Sequence, residues 1–215
     1  MFYIPAKEGT IFLSDIKPFS SKLSITLVRH AESIANSEGL LCGQLDSCLT
    51  KRGVETAKDI KLSLKRKGIE PAERTIFCSP LKRAVDSMHQ SIGVEIPFEK
   101  DARLMETNTG KLSKLTLSEV HKEHPWTRQE GKHFTCRYPE GESCEDVNKR
   151  MKEFIQDKVI QSNKHLLVFG HGGTLNHFAH ILLGIDYRAY PAIRTVNTQV
   201  ITLNYREGFG WDLSF

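Results

Sequence analysis

Two histidines follow directly after short, largely apolar segments, and each lies next to residues suited to binding an anion. His30 comes after residues 25–28 and has Arg29 as its neighbour, while His171 comes after residues 166–169 and is followed by two glycines. Two cationic or near-cationic side chains are rarely placed together at the end of a strand unless something anionic lies between them. We therefore expect one shared anion site at the carboxyl edge of a sheet.

Strand-like and helix-like segments alternate along most of the chain, and this order positions the two histidines. We predict strands at 25–28, 75–78, 95–98 and 166–169, and a terminal hairpin at 199–205 and 211–213. We predict helices at 50–67, from Pro80 onward, from 144 onward and at 174–183. The alternation predicts an α/β fold, a three-layer α/β/α sandwich around a mostly parallel central sheet of about six strands.

Length and composition fit one globular domain. The chain has 215 residues, of which 39% are hydrophobic and 26% are charged, and its net charge is +4. The basic residues are spread along the chain, which suits a small anionic substrate and argues against a nucleic-acid partner. We predict a single domain over residues 22–215, preceded by an N-terminal arm or hairpin at residues 1–21.

Cysteine usage and hydropathy favour a cytoplasmic protein. The five cysteines are an odd number without a C-x-x-C pair, so neither a disulfide framework nor a zinc site is indicated. No apolar run approaches the roughly 20 residues that span a bilayer, and no signal peptide is visible. We expect reduced thiols and no membrane partner.

Residues 29–36 resemble the R-H-G-E-x-x-x-N signature of the histidine phosphatase (phosphoglycerate mutase-like) superfamily, branch 1. Further matches follow in the family's order: Gly43-Gln44-Leu45-Asp46 with Leu49-Thr50 and Gly53, Ser79-Pro80-Leu81-Lys82-Arg83-Ala84, Leu104-Met105-Glu106, Pro139-Glu140-Gly141-Glu142-Ser143 and His171-Gly172-Gly173. The chain departs from the family's L-x-E-x-x-x-G-x-W-x-G acid motif at Leu112, in place of tryptophan, and at Lys114, in place of the last glycine.

The resemblance implies a catalytic role for five residues. His30 would attack phosphorus with one ring nitrogen while the other donates to a backbone carbonyl, which fixes the tautomer. Glu106 would protonate the leaving oxygen and then activate water against the phosphohistidine. Arg29, Arg83 and a protonated His171 would bind the phosphoryl oxygens.

Four more residues are expected to bind the substrate. Asn36 offers a neutral donor, and backbone N–H groups near Gly43 and Gly172 can approach phosphate closely because glycine has no side chain. Cys42 adjoins Gly43 and is included with it. We expect no metal and no cofactor, since arginines and a histidine supply the positive charge.

The preferred function is a metal-independent phosphomonoesterase acting on a small phosphorylated metabolite. Mutases of this family carry a long insertion with paired arginines after the acid motif, and no paired arginines occur between Glu106 and Pro139. Residues 107–138 are expected to select the substrate. Two alternatives remain open: a phosphoglycerate mutase-type phosphotransferase, and a catalytically silent phosphate-binding protein of the same fold. A homodimer is a further expectation, with residues 1–21 as a dimerisation arm or an added strand.

Overall fold

The computed structural model of the protein describes residues 23–128, 135–162, 165–193, 195–207 and 209–215, and the predicted arm at residues 1–21 lies outside these ranges. The strands are β1 (Ser24–Arg29), β2 (Thr75–Cys78), β3 (Glu99–Lys100), β4 (Leu166–Gly170), β5 (Val200–Arg206) and β6 (Gly210–Ser214). The helices are α1 (Ile34–Ser37), α2 (Lys51–Arg66), α3 (Lys82–Ile92), α4 (Leu117–Glu123), α5 (Cys144–Phe154) and α6 (Gly172–Leu183).

The six strands form one mixed sheet in the order β3-β2-β4-β1-β5-β6. The four strands from β3 to β1 are parallel, and β5 and β6 extend the sheet as an antiparallel hairpin. This arrangement confirms the predicted mostly parallel sheet and the predicted terminal hairpin.

Alternating side chains of the central strands bury two separate hydrophobic clusters, one on each face of the sheet. On one face, Ile25 of β1 and Val168 of β4 pack with residues of α5 and α6. On the other face, Val28 and Phe169 pack with residues of α2 and α3. Since side chains of a strand point to opposite faces in turn, each strand holds helices on both sides, which gives the three predicted layers.

Two local predictions were wrong by a few residues. The strand expected at residues 95–98 lies at Glu99–Lys100, because Ile96 and Phe98 pack against the core from the preceding loop. Helix α3 begins at Lys82 rather than at Pro80, since the Ser79 hydroxyl accepts a hydrogen bond from the Leu81 N–H and closes a turn first.

Helix α2 follows the predicted pattern with one exception. The Thr50 hydroxyl caps its N-terminus by accepting from the Gly53 N–H. Ala57, Ile60 and Leu64 are buried as the spacing predicts, but Val54 is 38% exposed. Val54 lies in the first turn of the helix.

The register of β1 and β4 sets the position of the two histidines. Arg29 pairs with Gly170, the last residue of β4, so His30 and His171 follow at the same edge of the sheet. The His30 N–H donates to the Gly170 carbonyl and extends the pairing by one step. Across the described part of the chain, none of the helices combines the length and the apolar character needed to cross a bilayer.

Candidate active site

The two histidines lie side by side at the carboxyl edge of the sheet. His30 is 3% exposed, His171 is fully buried, and their ring centroids are 5.1 Å apart. His30 Nδ1 lies 2.6 Å from the Ala31 carbonyl oxygen. Because a carbonyl can only accept, Nδ1 carries the proton and Nε2 is left with the lone pair that a nucleophile requires.

Burial and neighbouring cations keep both rings uncharged. Burial, followed by the charges of Arg83 and Arg29, lowers the pKa of His30 to about 3. Burial and the same arginines also hold the pKa of His171 well below its usual value. A bound phosphate dianion would offset the arginine charges and favour protonation of His171, which is the form expected to donate to a phosphoryl oxygen.

Loop carbonyls orient both arginines. Arg83, on α3 and 2% exposed, donates through Nη1 to the Leu45 carbonyl and through Nη2 to the Gly43 carbonyl, both at 2.8 Å. Arg29, at the end of β1, donates through Nη1 to the Thr195 carbonyl. Both guanidinium groups are therefore held in place, and their charges act on the two histidines.

The predicted substrate-binding residues border the same site. The Asn36 side-chain oxygen accepts from Asn197 Nδ2 at 3.1 Å, so its amide nitrogen is the group suited to donate to a ligand. Cys42 Sγ lies 3.5 Å from Arg83 Nη1, and burial raises the pKa of the thiol. A β-carbon on Gly172 would lie 3.4 Å from the Arg29 guanidinium carbon. The substrate-binding role of these residues stays a prediction.

Gly43 has a structural reason to be glycine in addition to any role in binding. Its φ is +53°, and a β-carbon there would lie 2.2 Å from the Thr109 hydroxyl. Any side chain would be strained by the backbone conformation and would collide with Thr109. The loop that orients Arg83 therefore packs directly against the acid-motif loop.

Glu106 lies at the N-terminus of α6, next to the second histidine. Its Oε2 accepts from the Gly173 N–H at 3.1 Å, and its Oε1 accepts from the Thr107 N–H at 2.9 Å. A β-carbon on Gly173 would lie only 2.5 Å from Oε1, so this close approach requires glycine. The structure thus brings together all five residues predicted to be catalytic. Within the described ranges, no three His, Cys, Asp or Glu side chains are grouped as ligands for a metal ion.

Glu142 and Arg150 hold the Glu106 loop, a role that sequence reasoning missed. The Glu142 carboxylate pairs with Arg150 at 2.8 Å and accepts from the Asn108 N–H at 2.7 Å. Arg150 also donates to the backbone carbonyls of Arg103 and Glu106. One largely buried ion pair therefore fixes the backbone on both sides of the acid.

Replacing Arg150 by methionine should weaken both folding and turnover. We expect a loss of about 3 kcal/mol in unfolding free energy, because Glu142 would be left unpaired in a largely buried site. We also expect kcat to fall roughly tenfold, since Glu106 loses its support. Urea unfolding and steady-state kinetics measure the two effects. The matched control is Arg137→Met, whose ion pair with Asp146 is exposed and should contribute less than about 1 kcal/mol; similar losses in both variants would contradict this role.

Two further residues contact the histidines, and no sequence motif assigned them this role. Ser79 Oγ lies 2.7 Å from His171 Nε2, while His171 Nδ1 has no hydrogen-bond partner among the described residues. Asn197 Nδ2 donates to the His30 carbonyl at 2.9 Å. Strand order could have indicated Asn197. Because β5 runs antiparallel to β1, the residues just before β5 lie at the carboxyl end of β1, next to His30.

The structure accommodates both departures from the acid motif. Leu112 is 3% exposed and fills the interior position where the family has tryptophan. Lys114 has a φ of +74°, a conformation that glycine adopts without strain, and its N–H donates to the Leu41 carbonyl. Glu32, also in the first motif, accepts a hydrogen bond from the Thr50 hydroxyl at the start of α2.

His177 should make the fold sensitive to acid. Burial lowers its pKa to about 3 from 6.5, so between these pH values the unfolded chain binds a proton that the folded chain does not. Stability is thus present above the usual pKa and decreases as the pH falls below it. We expect His177→Phe to reduce the loss of unfolding free energy between pH 7 and pH 5 by about 2 kcal/mol. Urea unfolding at both pH values measures this, and an unchanged loss would contradict it.

Comparisons with known proteins agree with this geometry. Residues 25–214 match the family model of the histidine phosphatase superfamily (branch 1). The probable phosphoglycerate mutase GpmB of Shigella dysenteriae is 32% identical over 200 residues, which cover 88% of this chain and 90% of that protein.

Solved structures share the fold at lower identity. The α-ribazole phosphatase of Shigella flexneri superposes with a TM-score of 0.77 at 21% identity, covering 89% of this chain and 95% of that one. A phosphoserine phosphatase of Entamoeba histolytica superposes with a TM-score of 0.76 at 22% identity, covering 90% of this chain and 95% of that one.

Proposed function

Because this chain belongs to branch 1 of the histidine phosphatase superfamily, we propose that it is a metal-independent phosphomonoesterase that hydrolyses a small phosphorylated metabolite. The observation that carries the proposal is the state of His30. Its Nδ1 donates to the Ala31 carbonyl at 2.6 Å, which leaves Nε2 as a nucleophile beside two arginines. This geometry supports a phosphohistidine intermediate at Nε2.

The first half-reaction transfers the phosphoryl group to the enzyme. Arg29, Arg83 and His171 bind the phosphoryl oxygens, and His171 Nδ1 is the buried ring nitrogen suited to donate. His30 Nε2 forms a bond to phosphorus as the bond from phosphorus to the leaving oxygen breaks. Glu106 gives its proton to that oxygen, and the alcohol leaves.

The second half-reaction returns the enzyme to its starting state. The Glu106 carboxylate takes a proton from water, and the resulting hydroxide attacks phosphorus as the bond to Nε2 breaks. Inorganic phosphate is released, His30 is again neutral, and Glu106 is again protonated. The buried positive charge of the arginines stabilises the transferring group in both steps.

A mutase is the second candidate, favoured by the similarity to the probable phosphoglycerate mutase GpmB. The two functions share the first half-reaction and differ in the acceptor, which is water in a phosphatase and a second hydroxyl in a mutase. The absence of paired arginines between Glu106 and Pro139 in the sequence supports the phosphatase.

The proposal includes a cytoplasmic location, consistent with five free thiols, and needs neither a cofactor nor a nucleic-acid or membrane partner. Homodimer formation stays a prediction.

Two assays test the function. We expect hydrolysis of p-nitrophenyl phosphate to continue in excess EDTA, and 3-phosphoglycerate, if it is turned over, to give inorganic phosphate by ³¹P NMR. Loss of turnover in EDTA would overturn the metal-independent mechanism. Conversion to 2-phosphoglycerate faster than release of phosphate would establish the mutase instead.

A further inference from the structure

The Tyr190 hydroxyl borders the space next to the catalytic acid. A β-carbon on Gly173 would lie 2.5 Å from Glu106 Oε1 and 3.3 Å from the Tyr190 hydroxyl oxygen. Both oxygens therefore border the same small volume above the first turn of α6. Because Glu106 is expected to protonate the leaving oxygen, a group in this volume would contact the leaving alcohol.

Packing fixes the orientation of the Tyr190 ring. The ring stacks on His177 of α6, with centroids 4.8 Å apart and planes inclined by 12°. His177 is 1% exposed, so this partner is itself fixed in the core. No group among the described residues is hydrogen-bonded to the Tyr190 hydroxyl. A rigidly presented hydroxyl near the acid is suited to bind a polar group of a substrate.

Tyr138, in the loop before α5, is a second partly buried phenol. Its ring contacts Trp126, with centroids 5.7 Å apart. Burial raises its pKa to about 12, and the nearby Glu106 carboxylate adds to the shift. Burial and Glu106 also raise the pKa of Tyr190. Both phenols thus stay neutral, and both lie close enough to Glu106 to be affected by its charge.

Three basic side chains near the Glu106 loop and the loop before α5 are already paired with carboxylates. Arg150 binds Glu142 at 2.8 Å, Arg137 binds Asp146 at 2.6 Å, and Lys111 binds Glu140 at 2.6 Å. A substrate with a second anionic group would have to compete with a carboxylate for each of these three cations. The Tyr190 hydroxyl, by contrast, is a neutral donor that lies beside Glu106.

We propose that Tyr190 forms a leaving-group subsite that selects phosphomonoesters of neutral, hydroxylated alcohols over those of alcohols carrying a carboxylate. The proposal rests on the phosphatase function and adds the chemical class of the substrate. Sugar phosphates and polyol phosphates belong to the preferred class, and phosphoglycerates and phosphoserine belong to the other.

A matched pair of substrates tests the class. Glycerol 3-phosphate and 3-phosphoglycerate share one carbon skeleton and differ in a hydroxymethyl group against a carboxylate. We expect kcat/KM to favour glycerol 3-phosphate at least about tenfold, because the carboxylate would be desolvated without a cation. Equal values, or a preference for 3-phosphoglycerate, would overturn the subsite but leave the phosphatase function intact. A lack of turnover with every phosphomonoester, including phenyl phosphate, would overturn both.

The conservative variant Tyr190→Phe tests whether the Tyr190 hydroxyl binds the leaving group. We expect Tyr190→Phe to lower kcat/KM for glycerol 3-phosphate about fivefold more than for phenyl phosphate, whose leaving group has no aliphatic hydroxyl to bind. The matched control is Tyr205→Phe on β5, at the opposite edge of the sheet, which should leave the ratio of the two substrates at its wild-type value. An equal loss on both substrates in Tyr190→Phe would assign Tyr190 a structural role and contradict the proposal.

Discussion

The His30→Ala variant is expected to lose at least about 10⁴-fold in kcat with p-nitrophenyl phosphate. The loss is large because the described site offers no substitute nucleophile. His171 is the nearest imidazole, at 5.1 Å between ring centroids, but its Nε2 is engaged with the Ser79 hydroxyl at 2.7 Å. The substrate would still bind to the arginines, so KM should change far less than kcat.

Rapid quenching tests the same prediction by a route that does not depend on turnover. Substrate labelled in the phosphoryl group should leave an acid-labile, base-stable label on the wild-type protein, as expected for phosphohistidine, and none on His30→Ala. The matched control is His89→Ala in the last turn of α3, where the ring packs against Phe98 away from the site. Wild-type kcat in His30→Ala would show that His30 is not the nucleophile.

The positions of the catalytic residues were predictable because they depend on strand order. Two histidines that follow adjacent parallel strands must meet at one edge of the sheet, and the pairing of Arg29 with Gly170 places them there. The motif order also predicted Arg83 and Glu106, which the structure brings to the same edge. The positions of the histidines required only chain direction and sequence order, whereas Arg83 and Glu106 were identified from the resemblance of their motifs to the family.

The supporting contacts were not predictable from the motifs, because they join segments distant in sequence. Arg150 holds the Glu106 loop from α5, and Asn197 reaches His30 from the loop before β5. Tyr190 is positioned by stacking on His177. Each of these roles depends on how helices pack on the sheet, and neither residue type nor spacing indicates this.

Short elements were also poorly predicted, and for a related reason. The residues of β3 are both exposed, so its sequence has no apolar alternation and the strand exists only through pairing with β2. The apolar residues just before β3 pack on the core from a loop, and their spacing resembles that of a strand. A hydrophobic pattern indicates which residues are buried. In this segment the buried residues lie in the loop, and the residues paired with β2 are exposed.

The Glu106→Gln variant is expected to lose about 10²- to 10⁴-fold in kcat with an alkyl phosphate. An amide keeps the size of the side chain but cannot deliver a proton to the leaving oxygen. An alkoxide leaves only if it is protonated, whereas p-nitrophenolate is stable enough to leave without help. The loss should therefore be much smaller with p-nitrophenyl phosphate, and the ratio of the two losses measures the contribution of acid catalysis.

Two controls separate chemistry from positioning in this variant. The Glu106 carboxylate accepts hydrogen bonds from two backbone N–H groups, and glutamine can accept through one oxygen only, so thermal unfolding must accompany the kinetics. Glu140→Gln makes the same change at an exposed carboxylate paired with Lys111 and should leave kcat unchanged. If Glu106→Gln lost the same factor with both leaving groups, Glu106 would act by orienting the phosphoryl group or water. The general acid would then have to be another group beside the leaving oxygen, and the Tyr190 hydroxyl is close enough to be tested next.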